Sequence, residues 1–156
     1  MEIYTVSFFG HREIKNALEV ERKLEAKITE LIRTKQYIEF LVGREGEFDI
    51  LAASVVKRVK KQMDYGNCSL IWVLPYMKAE FRDNEKNFLE YYDDIEICEQ
   101  SAKAHFKSAM QIRNRAMVER SDLVICCVQH KSGGAYKTVQ YAEKTGKVIV
   151  NAADIT

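Results

Sequence analysis

Proline is almost missing: Pro75 is the only one in 156 residues, so no proline-rich linker or extended proline segment divides the chain. Glycine is scarce too, at seven residues, and no internal repeat or low-complexity stretch is present. No apolar run approaches the roughly 20 residues that a membrane-spanning helix needs, and no secretory leader pattern opens the chain. The expectation is a cytoplasmic protein with no membrane partner. The four cysteines (Cys68, Cys98, Cys126, Cys127) contain no CxxC pair. Three lie in or beside apolar runs and read as buried, reduced thiols. The three histidines, His11, His105 and His130, are scattered without metal-ligand spacing, so neither a metal site nor a cofactor is expected. A surplus of one charge is also lacking: 24 basic against 23 acidic residues give a net charge of +1. Such a field gives no reason for strong salt-driven association, and nucleic acid is not an expected partner.

What is present is an ordinary globular composition, 47% hydrophobic and 30% charged, in a length that suits one compact domain. Strand-like and helix-like segments alternate. Ile3 to Phe9 is β-branched and aromatic and stops at Gly10. Leu24, Ile28, Leu31 and Ile32 carry a helical stripe, and Tyr37 to Val42 is a second strand ending at Gly43. Phe48, Leu51, Ala52, Val55, Val56 and Val59 then follow the spacing of one buried helix face. Leu70 to Leu74 is a third strand, closed by Pro75.

Residues 78 to 105 read as an insertion. Its part from Glu80 to Glu99 is acidic yet holds Phe81, Phe88, Tyr91 and Tyr92, with a short helix near Glu85 to Tyr91 and a short strand at Asp94 to Cys98. Those aromatics either pack on the domain's own core or form a partner or homo-oligomer surface. A long helix over about Ala104 to Arg120, a strand from Leu123 to Val128, a helix from about Ala135 to Thr145 and a strand from Val148 to Asn151 complete the pattern. This order predicts an α/β fold, a Rossmann-like three-layer sandwich around a mostly parallel sheet.

Ligands in such sheets bind outside the C-terminal strand ends, so the loops there are the candidate site. Gly10-His11-Arg12 follows the first strand; its glycine permits close backbone approach to a ligand, and its two basic residues can donate to an anion. Gly43-Arg44-Glu45-Gly46 leads toward a helix whose first turn holds Asp49, an arrangement suited to a phosphate over free N–H groups. Ser132-Gly133-Gly134 precedes another helix, with Ser132 as its cap and the glycines as an anion nest. On the long helix, Phe106, Ala109, Met110, Ala116 and Met117 form an apolar stripe that Arg113 interrupts, flanked by Asn114. An inward arginine needs a partner: an internal acid such as Glu119 or Asp122, or a ligand phosphate.

The runs Thr5 to Arg12, Gly43 to Ala52, Arg113 to Asp122, and Ser132-Gly133-Gly134 with Tyr141-Ala142 resemble the YpsA-like branch of the SLOG superfamily, named for the Smf/DprA and LOG proteins. The resemblance covers about Tyr4 to Val150 and implies a single Rossmann-like domain with a site for nucleotides or their derivatives. It implies that Arg113 stands where LOG phosphoribohydrolases carry a helical arginine. Gln140 stands where they carry a glutamate, and an amide cannot act as a carboxylate acid or base. The functional expectation is therefore binding or sensing of a nucleotide-type small molecule. The alternative is a nucleoside-phosphate N-glycosidase or related ribosyl transferase, drawing on Glu45, Glu47 or Glu143. The similarity of Gly43 to Ala52 to the glycine run of DprA raises DNA binding, against which the balanced charge argues.

Overall fold

A computed structural model describes residues 1–153. Six strands form one sheet: β1 (Ile3–Gly10), β2 (Tyr37–Val42), β3 (Cys68–Leu74), β4 (Asp94–Ile97), β5 (Leu123–Cys127) and β6 (Val148–Asn151). Their order is β4-β3-β2-β1-β5-β6. Every pairing is parallel, so the α/β, Rossmann-like expectation holds and "mostly parallel" becomes wholly parallel. The chain winds outward from β1 to β4, then returns across the sheet to β5. The order therefore reverses beside β1, where neighbouring crossovers leave toward opposite faces and open a crevice.

Two helices cover one face, α1 (Ala17–Thr34) and α2 (Glu47–Met63). Their stripes, Val20, Leu24, Ile28 and Ile32 on α1 and Phe48, Ala52, Val55, Val56 and Val59 on α2, are buried in one core with Phe8, Phe40 and Trp72. The opposite face is covered by α6 (Phe106–Arg120) and α7 (Gly133–Lys144). Met117, Val118 and Ala142 pack there on Phe9, Leu41 and Val124. Central strands buried on both faces explain their continuous apolar runs.

Residues 78–98 add two short helices, α3 (Ala79–Asp83) and α4 (Glu85–Tyr91), before the edge strand β4. Their aromatics turn inward: Phe81, Phe88 and Tyr92 ring Trp72 at centroid distances of 5.8, 4.9 and 5.3 Å. Between the two readings of these residues, core packing is what the fold shows. A one-turn helix, α5 (Glu99–Ala102), links β4 to α6 and was not expected from the sequence. The stripe of α6 also needs correction. Its buried residues are Ala109, Arg113, Asn114, Met117 and Val118, while Phe106 is exposed. Among the described residues no helix is long and apolar enough to cross a membrane. All four cysteines are free, and burial pushes the thiols of Cys68 and Cys127 up to about 11 and that of Cys126 to about 12, which makes poor nucleophiles of them.

Candidate functional site

A cleft of about 850 Å³ opens at the C-terminal edge of the sheet, between the ends of β1, β2 and β5. Three loops and the middle of α6 form its walls. The sheet thus brings together Gly10, His11, Arg12, Gly43, Glu45, Asp49, Arg113, Asn114, Gly133 and Gly134. Arg44, Gly46 and Ser132 do not line it. Arg44 turns instead toward the Trp72 cluster, its guanidinium 5.0 Å from the Phe88 ring and 3.5 Å from Glu80.

The first two loops interlock, and their glycines exist for that contact. A Cβ on Gly46 would stand 2.4 Å from the Arg12 Cα, and one on Gly10 would stand 2.3 Å from the Phe48 ring. The side that a Cβ would take at Gly10 is therefore filled by Phe48, while the residue itself lines the cleft. The Glu47 amide donates to the Arg12 carbonyl at 2.8 Å, and the Glu47 carboxylate accepts from the Ile14 amide at 2.8 Å. Gln129 clasps the same loop from the far side: its Oε1 accepts from the Lys15 amide at 2.9 Å and its Nε2 donates to the Lys15 carbonyl at 2.8 Å.

Arg113 is 2% exposed. It donates to Glu45 and to the Val73 carbonyl, both at 2.7 Å, and to Asn114 Oδ1 at 2.9 Å. Its partner is thus Glu45 rather than Glu119 or Asp122, which bond to Tyr141 and the Thr5 amide. These bonds, with one from Nη2 to the Met110 sulfur at 2.9 Å, occupy four of the five guanidinium N–H groups and fix the side chain in the cleft wall. Lys78 also reaches Glu45 at 3.2 Å. Burial alone would raise the Glu45 pKa, but the Arg113 and Lys78 charges outweigh it and hold the carboxyl below its ordinary value. Asn114 passes the link onward to Thr138 on α7 at 3.1 Å.

Asp49 accepts from the Glu45 amide at 2.9 Å and so closes its loop from within. It is 8% exposed. Burial, aided by Glu45, raises its pKa to about 6 against the lowering effect of that amide bond and of Arg113. Asp49 thus braces its loop while lining the cleft.

Two rings meet on the β5 side of the cleft. His11 and His130 stack with centroids 3.6 Å apart and planes within 4°. The His130 amide donates to His11 Nε2 at 3.3 Å, which assigns His11 the neutral form with its proton on Nδ1. Burial first, and then the charge interaction with His130, leave the His11 pKa lowered. His11 covers one face of the His130 ring, and His130 is exposed. Ser132 does not cap α7 through its side chain; its hydroxyl meets His130 Nδ1 at 2.9 Å. Gly133 carries the left-handed φ of +91° that starts the helix, and only glycine adopts it freely. Gly133, Gly134 and Ala135 of the first turn of α7 line the cleft, at the helix end whose N–H groups have no partner within the helix.

The acids and bases of the cleft are treated differently. Glu45, Glu47 and Asp49 are all bonded internally. Arg12 and Lys15 line the cleft, Lys131 lies in its β5 loop, and all three are exposed. Their side chains take part in no ion pair among the described residues. Glu13 is the free acid beside them. No local pattern signals the Glu47 latch, the Gln129 clasp or the histidine stack, since each joins segments far apart in the chain. Gln129 and His130 do stand directly after a strand, the position that marks them for inspection.

No described protein family and no curated protein matches the chain. Among solved structures it is similar to DNA processing protein A (DprA) from Streptococcus pneumoniae, at 17% identity and a TM-score of 0.64, over 94% of this chain and 49% of that one. It is also similar to DprA from Helicobacter pylori, a protein described with a single-stranded DNA binding mode, at 19% identity and a TM-score of 0.62, over 94% of this chain and 63% of that one. The chain spans about half of the first protein and under two thirds of the second. At these identities the likeness shows the fold, and it agrees with a Smf/DprA-type Rossmann-like architecture. It runs to DNA-processing proteins rather than to nucleotide sensors or glycosidases. That overturns the expected nucleotide-type ligand, its glycosidase alternative and the exclusion of nucleic acid. The exclusion failed because net charge averages over the surface, whereas an anionic strand meets only the local field.

Proposed function

We propose that the cleft binds single-stranded nucleic acid, with the strand's phosphates against Arg12, Lys15, Lys131 and the first-turn amides of α7. The observation that carries this reading is the sorting of charge: of the cleft's four acids Glu45 is paired with Arg113 and Lys78, Glu47 and Asp49 are bonded to backbone amides, and only Glu13 is free, while the three rim cations are left exposed. A helix N-terminus adds positive potential and free N–H groups where a phosphate would sit. The outer face of the exposed His130 ring, backed by His11, offers a stacking surface of the kind single-strand grooves pair with basic side chains. A recessed cleft favours a flexible strand over a rigid duplex, which cannot bend a phosphate into it. The DprA neighbours support the same class of partner. The four motif segments support placing the chain in the YpsA-like branch of that superfamily.

Arg113 is the fixed frame of this site rather than its anion ligand. It joins β3, the Gly43–Asp49 loop and α6, so it sets the separation of the cleft walls.

The test is fluorescence anisotropy with an end-labelled 20-nucleotide strand and its duplex at low salt. The expected result is saturable binding of the single strand, weaker binding of the duplex, and a several-fold loss for Arg12→Ala and for Lys15→Ala. A wild-type protein that leaves the single strand unbound at low salt rules the reading out.

A further inference from the structure

Resting on that reading, we infer that the strand's path continues past the cleft onto Phe106 at the start of α6, where the exposed ring stacks on a base. Phe106 is the only phenylalanine of the described residues left exposed, at 67%. Its ring lies 5.2 Å from that of His105 at an interplanar angle of 26°, so a two-ring shelf stands in solvent. The shelf adjoins the cleft. Met110 and Gln111 line the cleft wall, and Phe106 is one helical turn before Met110 on the same face, about 6 Å along the axis.

Charge identifies the occupant. Lys107 is exposed and enters no ion pair among the described residues. Lys103 is exposed as well, with its ammonium 3.4 Å from an equally exposed Glu99, a pair that contributes little and is readily exchanged. The run Lys103-Ala104-His105-Phe106-Lys107 therefore interleaves rings and cations, the combination that holds a strand by its bases and phosphates together. An apolar protein partner would leave those lysines without a match. Every nucleobase has a stacking face, so the subsite is sequence-tolerant and sets the length of strand engaged.

The experiment compares wild type, Phe106→Ala and Phe106→Trp against a labelled 20-nucleotide strand and against the same strand without bases. Phe106→Ala is expected to weaken binding of the intact strand about five-fold or more while leaving the salt dependence unchanged, since stacking releases no counterion. On the baseless strand the two proteins should bind alike. Phe106→Trp should restore affinity, and its added indole emission should be quenched by the intact strand; Trp72 is 1% exposed and gives a constant background. Equal affinity of wild type and Phe106→Ala for the intact strand overturns the subsite and leaves the cleft reading standing. So does an equal loss on both strands, or a dimer that Phe106→Ala converts to monomer in light scattering. A wild type that binds no strand removes the cleft reading, and an unquenched Phe106→Trp with that strand then rejects the shelf as well.

Discussion

Gly10 ends the central strand against the Phe48 ring, which is fully buried. Adding one methyl there gains a few tenths of a kcal/mol from reduced chain freedom but forces a core ring and the start of α2 to move, which costs about 1–3 kcal/mol. Gly10→Ala should therefore lower the urea midpoint, and Phe48→Leu in the same chain should recover part of that loss; independent, additive effects would refute the clash. Asp49 makes a second prediction. Its folded pKa of about 6 lies above the ordinary 3.8, so between these values the folded protein holds a proton that the unfolded chain has released. The associated stability is complete below pH 3.8, falls as pH rises and is gone above 6, on the order of 3 kcal/mol. Asp49→Asn retains an acceptor for the Glu45 amide without a charge to bury. Wild type minus variant should thus fall across that window in urea titrations, and a flat difference would show that Asp49 is already ionised at low pH. Such roles were only partly legible in the sequence. Arg113 announced itself as a charge on an apolar face, yet its partner Glu45 lies 68 positions away, and nothing in local pattern selects that acid over Glu119 or Asp122.

At the scale of elements, periodicity located every strand and each long helix, because burial on one stripe or both sheet faces writes itself into spacing. The short helices α3 and α5 escaped, being too brief to show a period. The stretch over 78–105 reads from sequence as an insertion, acidic from Glu80 to Glu99. Its aromatic rings are what integrate it: they enclose Trp72 of β3, and Lys57 on α2 donates to the Tyr91 carbonyl at 2.8 Å. Charges on one side and rings on the other make α3 and α4 a lid on the core. Phe81, at 7% exposure, should cost about 3–5 kcal/mol when truncated to alanine. If the lid unfolds with the sheet, the denaturant slope of Phe81→Ala equals that of wild type. A reduced slope with a small loss of stability would mark the segment as a loosely attached addition.

Across the whole molecule, a net charge of +1 hides a polarised arrangement. The topology collects the loops after β1, β2 and β5 at one edge, and the internal bonds of Glu45, Glu47 and Asp49 leave that edge with more free cations than free anions. Composition cannot reveal this, because it counts a latched carboxylate and a free lysine as equal and opposite. The consequence is quantitative. If three cations, Arg12, Lys15 and Lys131, each neutralise one phosphate, the logarithm of single-strand affinity should fall with the logarithm of salt concentration at a slope of about −2. Between 50 and 200 mM salt that is a loss of roughly 15- to 20-fold. Removing one cation should make the slope shallower by about 0.7, whereas Gln111, a neutral residue of the same wall, should leave it unchanged when replaced by alanine. A slope near zero with affinity intact would mean that the strand is held by its bases alone, and the sorted charges of the cleft would then serve only to lock its loops together.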